Sequence, residues 1–416
     1  MGARVARRQV ASSLEPKPWP GHGPARLACA VHGGHPRSCR RRETCPLSRA
    51  HHLAILHPHH GDVLNRHDGE ETRDSLLVEV RGVVPSGARV TVNGVPARLE
   101  GEAFTCAVPL CARKNEITAV ARQAGTESRE TITILWDKCS RPRYRFSVDD
   151  NIEFLKDLGT RPDDYPSLFD HWYAAFWRRM HEEFGAKIHL NIYYQTVTRD
   201  FTLRQMPEKW RDEWEANSDW LHLSFHALQD QPPRIYRDAT YGRMAGDCDL
   251  VVGEIRRFAG HSVLSTETTV HWAEAPREAC RALYDRGIRV LIAIFRPESG
   301  GECTTGYYLP ESVKDHANTR DCYYDPDADL LFVTEDATVN SLAVEEVEPW
   351  LDRQGADPHT GELMELLIHE QYFRKELPYY QPSIEEKVVR CLRWVTARGH
   401  QPVFWGDGFL GNPVEV

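Results

Sequence analysis

The sequence predicts a multidomain protein in which a small all-β sandwich precedes an α/β barrel. Short β-branched runs recur at regular spacing from Ser75, and after "DKCSRPR" the pattern changes to strands alternating with helices. The first pattern is that of a sandwich and the second that of a barrel. With 416 residues, 41% of them hydrophobic and 27% charged, the chain is long and apolar enough for two or three globular domains.

Residues 1–72 include "PWPGHGPARLACAVHGGHPRSCRRRE" and "HHLAILHPHHG" and show neither helical nor strand periodicity. They are expected to be a disordered Arg/His/Pro-rich extension. A metal-binding or basic tail is the secondary reading of their histidines.

Residues 73–138 contain "LLVEVRG", "ARVTVNG", "EAFTCAVPL", "NEITAVARQ" and "ETITILW", with Asn93-Gly94 as a hairpin turn signal. This texture resembles the immunoglobulin-like modules attached to bacterial carbohydrate-active enzymes. No cluster of His, Asp or Glu accompanies it, so no catalytic group is expected there.

Residues 141–416 carry strand candidates "YRFSV", "KIHLNIYY", "WLHLSF", "HSVLSTETTV", "RVLIAIF", "LLFVTE", "ELLIH" and "QPVFW", with amphipathic helical segments between several of them. A barrel presents its chemistry at the C-terminal ends of its strands. The polar residues at those ends are Asp149 and Asp150, His222 and His226, His271 with Trp272 beside it, and His369; Trp405 and Asp407 in "FWGDGF" are candidates for a pocket rim. Adjacent carboxylates repel, so Asp149 and Asp150 call for a compensating charge, and a divalent cation among the histidines supplies one. For His222 and His226 to share it, the strand must end near His222, because four extended residues span roughly 13 Å.

Composition also excludes some roles. Net charge is −10, with the basic excess confined to the N-terminal segment, which argues against nucleic acid as a partner of the folded part. The 11 cysteines are scattered without CxxC pairs, so neither a disulfide framework nor a cysteine zinc site is indicated. No long apolar run or signal-like segment is evident, which points to a cytoplasmic protein without membrane contact. No protein partner is evident either.

In order along the chain, "FSVDD", "HLSFH" and "LIH" resemble the motifs of the polysaccharide deacetylase family, the NodB-homology or carbohydrate esterase family 4 group. The resemblance implies a distorted (β/α) barrel that hydrolyses an N-acetyl group from a carbohydrate or related amide. It also implies Asp149 as catalytic base, His369 as acid, and Asp150, His222 and His226 as ligands of one divalent ion. Zinc is the default, with cobalt, nickel, manganese or iron as alternatives. Asn151 stands where the family has glycine, "TTVHWAEAP" takes the place of its arginine-containing third motif, and the fourth motif has no counterpart. His271 and Trp272 are therefore assigned, with Trp405 and Asp407, to substrate binding. These departures keep two other functions in play: a non-catalytic metal-containing glycan-binding protein, and a small-molecule amide or imide hydrolase.

Overall fold

The computed structural model describes residues 52–295 and 305–407, all within one compact unit, Ala50–Val416. Most of the expected extension lies outside the described residues. Its last part does not match the expectation, because Ala54–His57, Val63–Leu64 and Gly69–Glu71 are strands. Each is too short to show periodicity, and each is held by pairing with a later strand.

The β-rich region forms two five-stranded sheets, one centred on Leu76–Val83 and Ala103–Leu110, the other on Lys114–Gln123 and Thr126–Trp136. Leu76, Val78 and Val80 are buried while Leu77, Glu79 and Arg81 are exposed, the period of two that a strand with one solvated face requires. Both sheets contribute to a core that includes Phe104, Val108, Ile117, Ile134 and Trp136. Asn93 (φ 50°) and Gly94 (φ 82°) form the hairpin turn, whose tight geometry needs positive φ at both central positions.

The following α/β region is built on parallel strands: β1 Arg143–Asn151, β2 Ile188–Tyr193, β3 Leu221–Ala227, β4 Glu267–Thr268, β5 Val290–Ala293, β6 Leu330–Thr334, β7 Ala337–Thr338 and β8 Leu363–His369. β1 pairs with both β2 and β8, β2 with β3, β4 with β5, β5 with β6, and β7 with β8. A bridge at Leu223 and Leu264 joins β3 to the segment leading into β4, and Glu335 and Asp336 connect β6 to β7 while bonding to Ala293 and Glu365. The pairings thus run round a ring, a layout consistent with a barrel beside a sandwich. Of "QPVFW", only Gln401–Pro402 is a strand.

One face of β1, β2 and β3 is polar: Arg145, Ser147 and Asp149 on β1, His189 and Asn191 on β2, and Ser224 and His226 on β3 are all buried. The opposite face supplies Phe146, Val148, Leu190, Ile192, Leu223 and Phe225 to the main hydrophobic core. The ring therefore has a polar interior and an apolar outside covered by helices such as Trp172–Phe184 and Ile384–Ala397.

Candidate metal centre

Asp149 and Asp150 lie at the C-terminal end of β1, where the pairing with β2 shifts register between Val148 and Asn151. Asp150 has φ 64°, in the left-handed region that a non-glycine residue rarely adopts. Such a bulge redirects side chains that would otherwise alternate across the strand. Asn151 braces it: its side-chain amide donates to the carbonyls of Val148 (2.6 Å) and Asn191 (3.1 Å), and its side-chain oxygen accepts from the Tyr173 hydroxyl (3.0 Å). Glycine, which the resembled family has here, could make none of these bonds. A second register shift skips His226 between β2 and β3, and Trp272 (φ 68°) and Ala273 (φ 46°) follow His271. Irregular backbone thus marks the segments that meet at this end of the ring.

Three side chains converge there. Asp150 Oδ1 lies 3.1 Å from His226 Nε2 and 3.5 Å from His271 Nδ1, and the two nitrogens are 3.3 Å apart. The remaining ring nitrogens face carbonyls: His226 Nδ1 is 2.5 Å from Thr269 O, and His271 Nε2 is 3.2 Å from Asp230 O. With hydrogens on those two nitrogens, neutral imidazoles turn the lone pairs of His226 Nε2 and His271 Nδ1 towards a carboxylate oxygen, whereas a proton on either nitrogen makes it a donor to Asp150 instead. Three converging acceptors need a proton or a cation between them. A tetrahedral ion with ligands at about 2.0–2.1 Å sets them roughly 3.3 Å apart, close to all three observed separations. The residues present fit a divalent metal, and one carboxylate with two imidazoles suits zinc, cobalt, nickel or iron.

The surroundings hold this arrangement in place. Tyr193 donates its hydroxyl to Asp150 and lies 2.8 Å from His271 Nδ1, while Gln371 donates to Asp150 Oδ2 at 2.8 Å. Burial and the nearby Asp150 carboxylate raise the Tyr193 hydroxyl well above its ordinary pKa, so it remains a donor. Burial opposes ionisation of Asp150, but hydrogen bonds from His226 and His271 outweigh it and hold this carboxyl well below the usual range. His226 is pushed up: burial acts against its protonation, and the Asp149 and Asp150 carboxylates prevail.

Asp149 is buried at 3% exposure beside this cluster, and its carboxyl is raised by burial, with the His226 and His369 charges acting in the opposite direction. His369 is its register partner on β8 and meets Asn340 Oδ1 through Nδ1 at 2.9 Å. Next to it, Glu370 accepts the backbone amides of Ile152 (2.8 Å), Glu153 (3.0 Å) and Phe154 (2.7 Å). That bond set ties the end of β8 to the start of the helix following β1.

Not every sequence-predicted site residue joins the cluster. His222 does not, because β3 stays extended through Ala227 and keeps it roughly 13 Å from His226. Its ring stacks on Phe404 at 3.6 Å and 9° instead. Trp405 lies toward the N-terminal end of the ring, bonded to Glu267 (3.1 Å) and Glu365 (2.9 Å), and Asp407 pairs with Lys187 just ahead of β2. Residues 404–407 thus fall at the wrong end of the strands for a rim. His271, expected to bind substrate, occupies the place among the clustered atoms expected of His222. Trp272 stays beside it, under the Arg234 guanidinium at 5.0 Å.

Sequence reasoning did not single out Asn191, Tyr193, Asp230, Asn340 or Gln371. A signal for the first two was present: His189, Asn191 and Tyr193 alternate in "HLNIYY" as His222, Ser224 and His226 do in "HLSFH". Polar residues at a period of two in strands with a buried opposite face indicate a polar interior.

No protein-family model matches the chain. No curated protein matches it. Among solved structures, it is similar to a putative alpha-galactosidase from Bacteroides fragilis NCTC 9343 at 10% identity over 82% of this chain and 78% of that one, with a TM-score of 0.25. It is similar to the beta-glucuronidase of Parabacteroides merdae at 10% identity over 77% of this chain and 47% of that one, TM-score 0.25. A Bacteroides uniformis beta-glucuronidase shares 14% identity over 22% of this chain, TM-score 0.18, and the match spans only 11% of that enzyme. At such scores the likenesses carry no argument about fold or activity.

Among the described residues, no helix is long and apolar enough to cross a membrane. The described cysteines Cys106, Cys111, Cys139, Cys248, Cys280, Cys322 and Cys391 are free.

Proposed function

We propose that this protein is a metal-dependent hydrolase that cleaves an acyl group from nitrogen, with an N-acetylated saccharide as the first substrate class to consider. The observation that carries the reading is the triangle of Asp150 Oδ1, His226 Nε2 and His271 Nδ1, with sides of 3.1 to 3.5 Å, beside the buried carboxylate of Asp149. These three residues would hold the ion. When bound, a divalent cation supplies Lewis acidity and brings the pKa of water down towards about 7.

The chain's own groups account for the proton movements. Asp149 takes the proton of the attacking water; its burial favours the protonated form and so makes it a better base than an exposed aspartate. Asn191 orients that carboxylate through a 2.5 Å hydrogen bond. His369 holds Asn340 through Nδ1, which leaves Nε2 to protonate the departing nitrogen. Tyr193 and Gln371 fix the Asp150 carboxylate in position.

The order of "FSVDD", "HLSFH" and "LIH" supports the saccharide class. His271, within the segment that takes the place of the resembled family's third motif, favours a small amide or imide as the second reading. Acetate release from a panel of acetylated oligosaccharides and small N-acyl amides, compared between the wild type and Asp149→Asn, tests both. Turnover lost in Asp149→Asn supports the hydrolase, and the responding substrate fixes the class. Absence of turnover in zinc-loaded wild type across the panel contradicts it and returns a non-catalytic glycan-binding role.

A further inference from the structure

We infer a second divalent cation site, formed by His59, Asp62 and His316 and bridging the β-rich region to the α/β region. His59 and Asp62 lie between strands Ala54–His57 and Val63–Leu64, and His316 lies on helix Glu311–Ala317. The Asp62 carboxylate presents one oxygen to each imidazole: Oδ1 is 2.5 Å from His316 Nε2, and Oδ2 is 4.0 Å from His59 Nδ1. The imidazole rings are 3.9 Å apart at an angle of 46°, and one donor atom from each residue falls within 4.8 Å of the others. The donor set is the same as at the first centre, one carboxylate and two imidazoles.

The scaffold under these ligands is fixed from both regions. Gly61 N donates to Thr133 O at 2.8 Å, Leu135 N to Asp62 O at 2.9 Å, and Tyr324 N to Gly61 O at 2.8 Å. Gly61 has φ 89°, and a Cβ there would meet the Tyr323 ring and the Tyr324 carbonyl at 2.4 Å, so only glycine allows this approach. Asp62 is 1% exposed, whereas the His59 side chain is 55% exposed, which leaves solvent access for water to complete the coordination. Arg320 is the nearby competing cation, but its Nη2 is committed to Asp68 at 2.7 and 2.8 Å and its Nε approaches Asp62 only to 4.0 Å. Zinc, nickel and cobalt suit the ligand set.

The experiment is zinc stoichiometry on the full chain, stripped with chelator and titrated, comparing wild type with His59→Ala and His316→Gln. The exposed His59 ring makes His59→Ala the variant that leaves the fold intact. Each variant is expected to bind one equivalent fewer than wild type, whatever the number bound elsewhere. Equal stoichiometry in wild type and His59→Ala overturns the site. The readout is independent of hydrolysis: if the first centre held no ion, wild type would still exceed His59→Ala by one equivalent.

Discussion

Asn191 donates its side-chain amide to Asp149 Oδ1 at 2.5 Å, and this bond is the last link of a buried chain that runs along the ring interior. Arg145 donates to His189 Nδ1, His189 Nε2 lies 2.8 Å from Ser224 Oγ, and Ser224 donates to Asn191 Oδ1 at 2.5 Å. Because an arginine can only donate, every hydrogen in the chain points towards Asp149, which sits as the terminal acceptor. Replacing Asn191 with Ala is expected to lower kcat by about 10- to 100-fold, the range typical when a group that orients a site residue is lost. The acidic limb of the pH profile should move to higher pH, because the lost hydrogen bond favoured the ionised carboxylate. Unchanged metal content with an unshifted pH profile would make Asn191 a packing residue only.

His189 gives a pH prediction for stability. Burial and the Arg145 guanidinium hold its pKa well below 6.5, so the folded state binds a proton less readily than the unfolded chain. Stability is therefore complete above about pH 6.5 and is lost as the pH falls from there towards the folded-state pKa. Urea unfolding between pH 5 and 8 should show this slope, and His189→Gln, which keeps polar atoms without titrating, should flatten it. An equal slope in the variant would assign the effect elsewhere.

His369 separates proton transfer from metal binding. His369→Ala is expected to reduce kcat by roughly 10² to 10⁴ with zinc content retained. Loss of zinc would make it a ligand, and full activity would make it a structural partner of Asn340.

Much of the α/β region was legible in the sequence, because helices such as Tyr241–Phe258 and Ile384–Ala397 have a clear apolar stripe and strands such as β1, β2 and β8 are strongly apolar on one face. Asp149, Asp150, His226 and His369 were legible as strand-end polar residues. That His271 rather than His222 stands beside Asp150 and His226 was not. It depends on β3 staying extended past His222 and on the bulge at His226, and neither register shifts nor the left-handed conformation of Asp150 leaves a mark in a run of residue types. The strands within residues 54–71 were hidden for a related reason: their partners, including Leu76–Val83 and Thr126–Trp136, lie later in the chain.

Metal uptake should depend on pH. The raised pKa of His226 means that its Nε2 must lose a proton before it can act as a ligand, so binding releases protons and affinity rises with pH. Zinc titrations in buffers of different ionisation enthalpy should detect this release in wild type and a smaller one in His226→Ala. Equal release in both would place the proton on another group.

Asp150, His226 and His271 are proposed to hold one divalent cation, with His222 taking no part. The most direct measurement is a crystal structure of the zinc-loaded protein with anomalous scattering at the zinc edge. An ion is expected at about 2.0 to 2.2 Å from Asp150 Oδ1, His226 Nε2 and His271 Nδ1, with His222 still stacked on Phe404. An ion ligated by His222, or no anomalous peak among Asp150, His226 and His271 at saturating zinc, would contradict it.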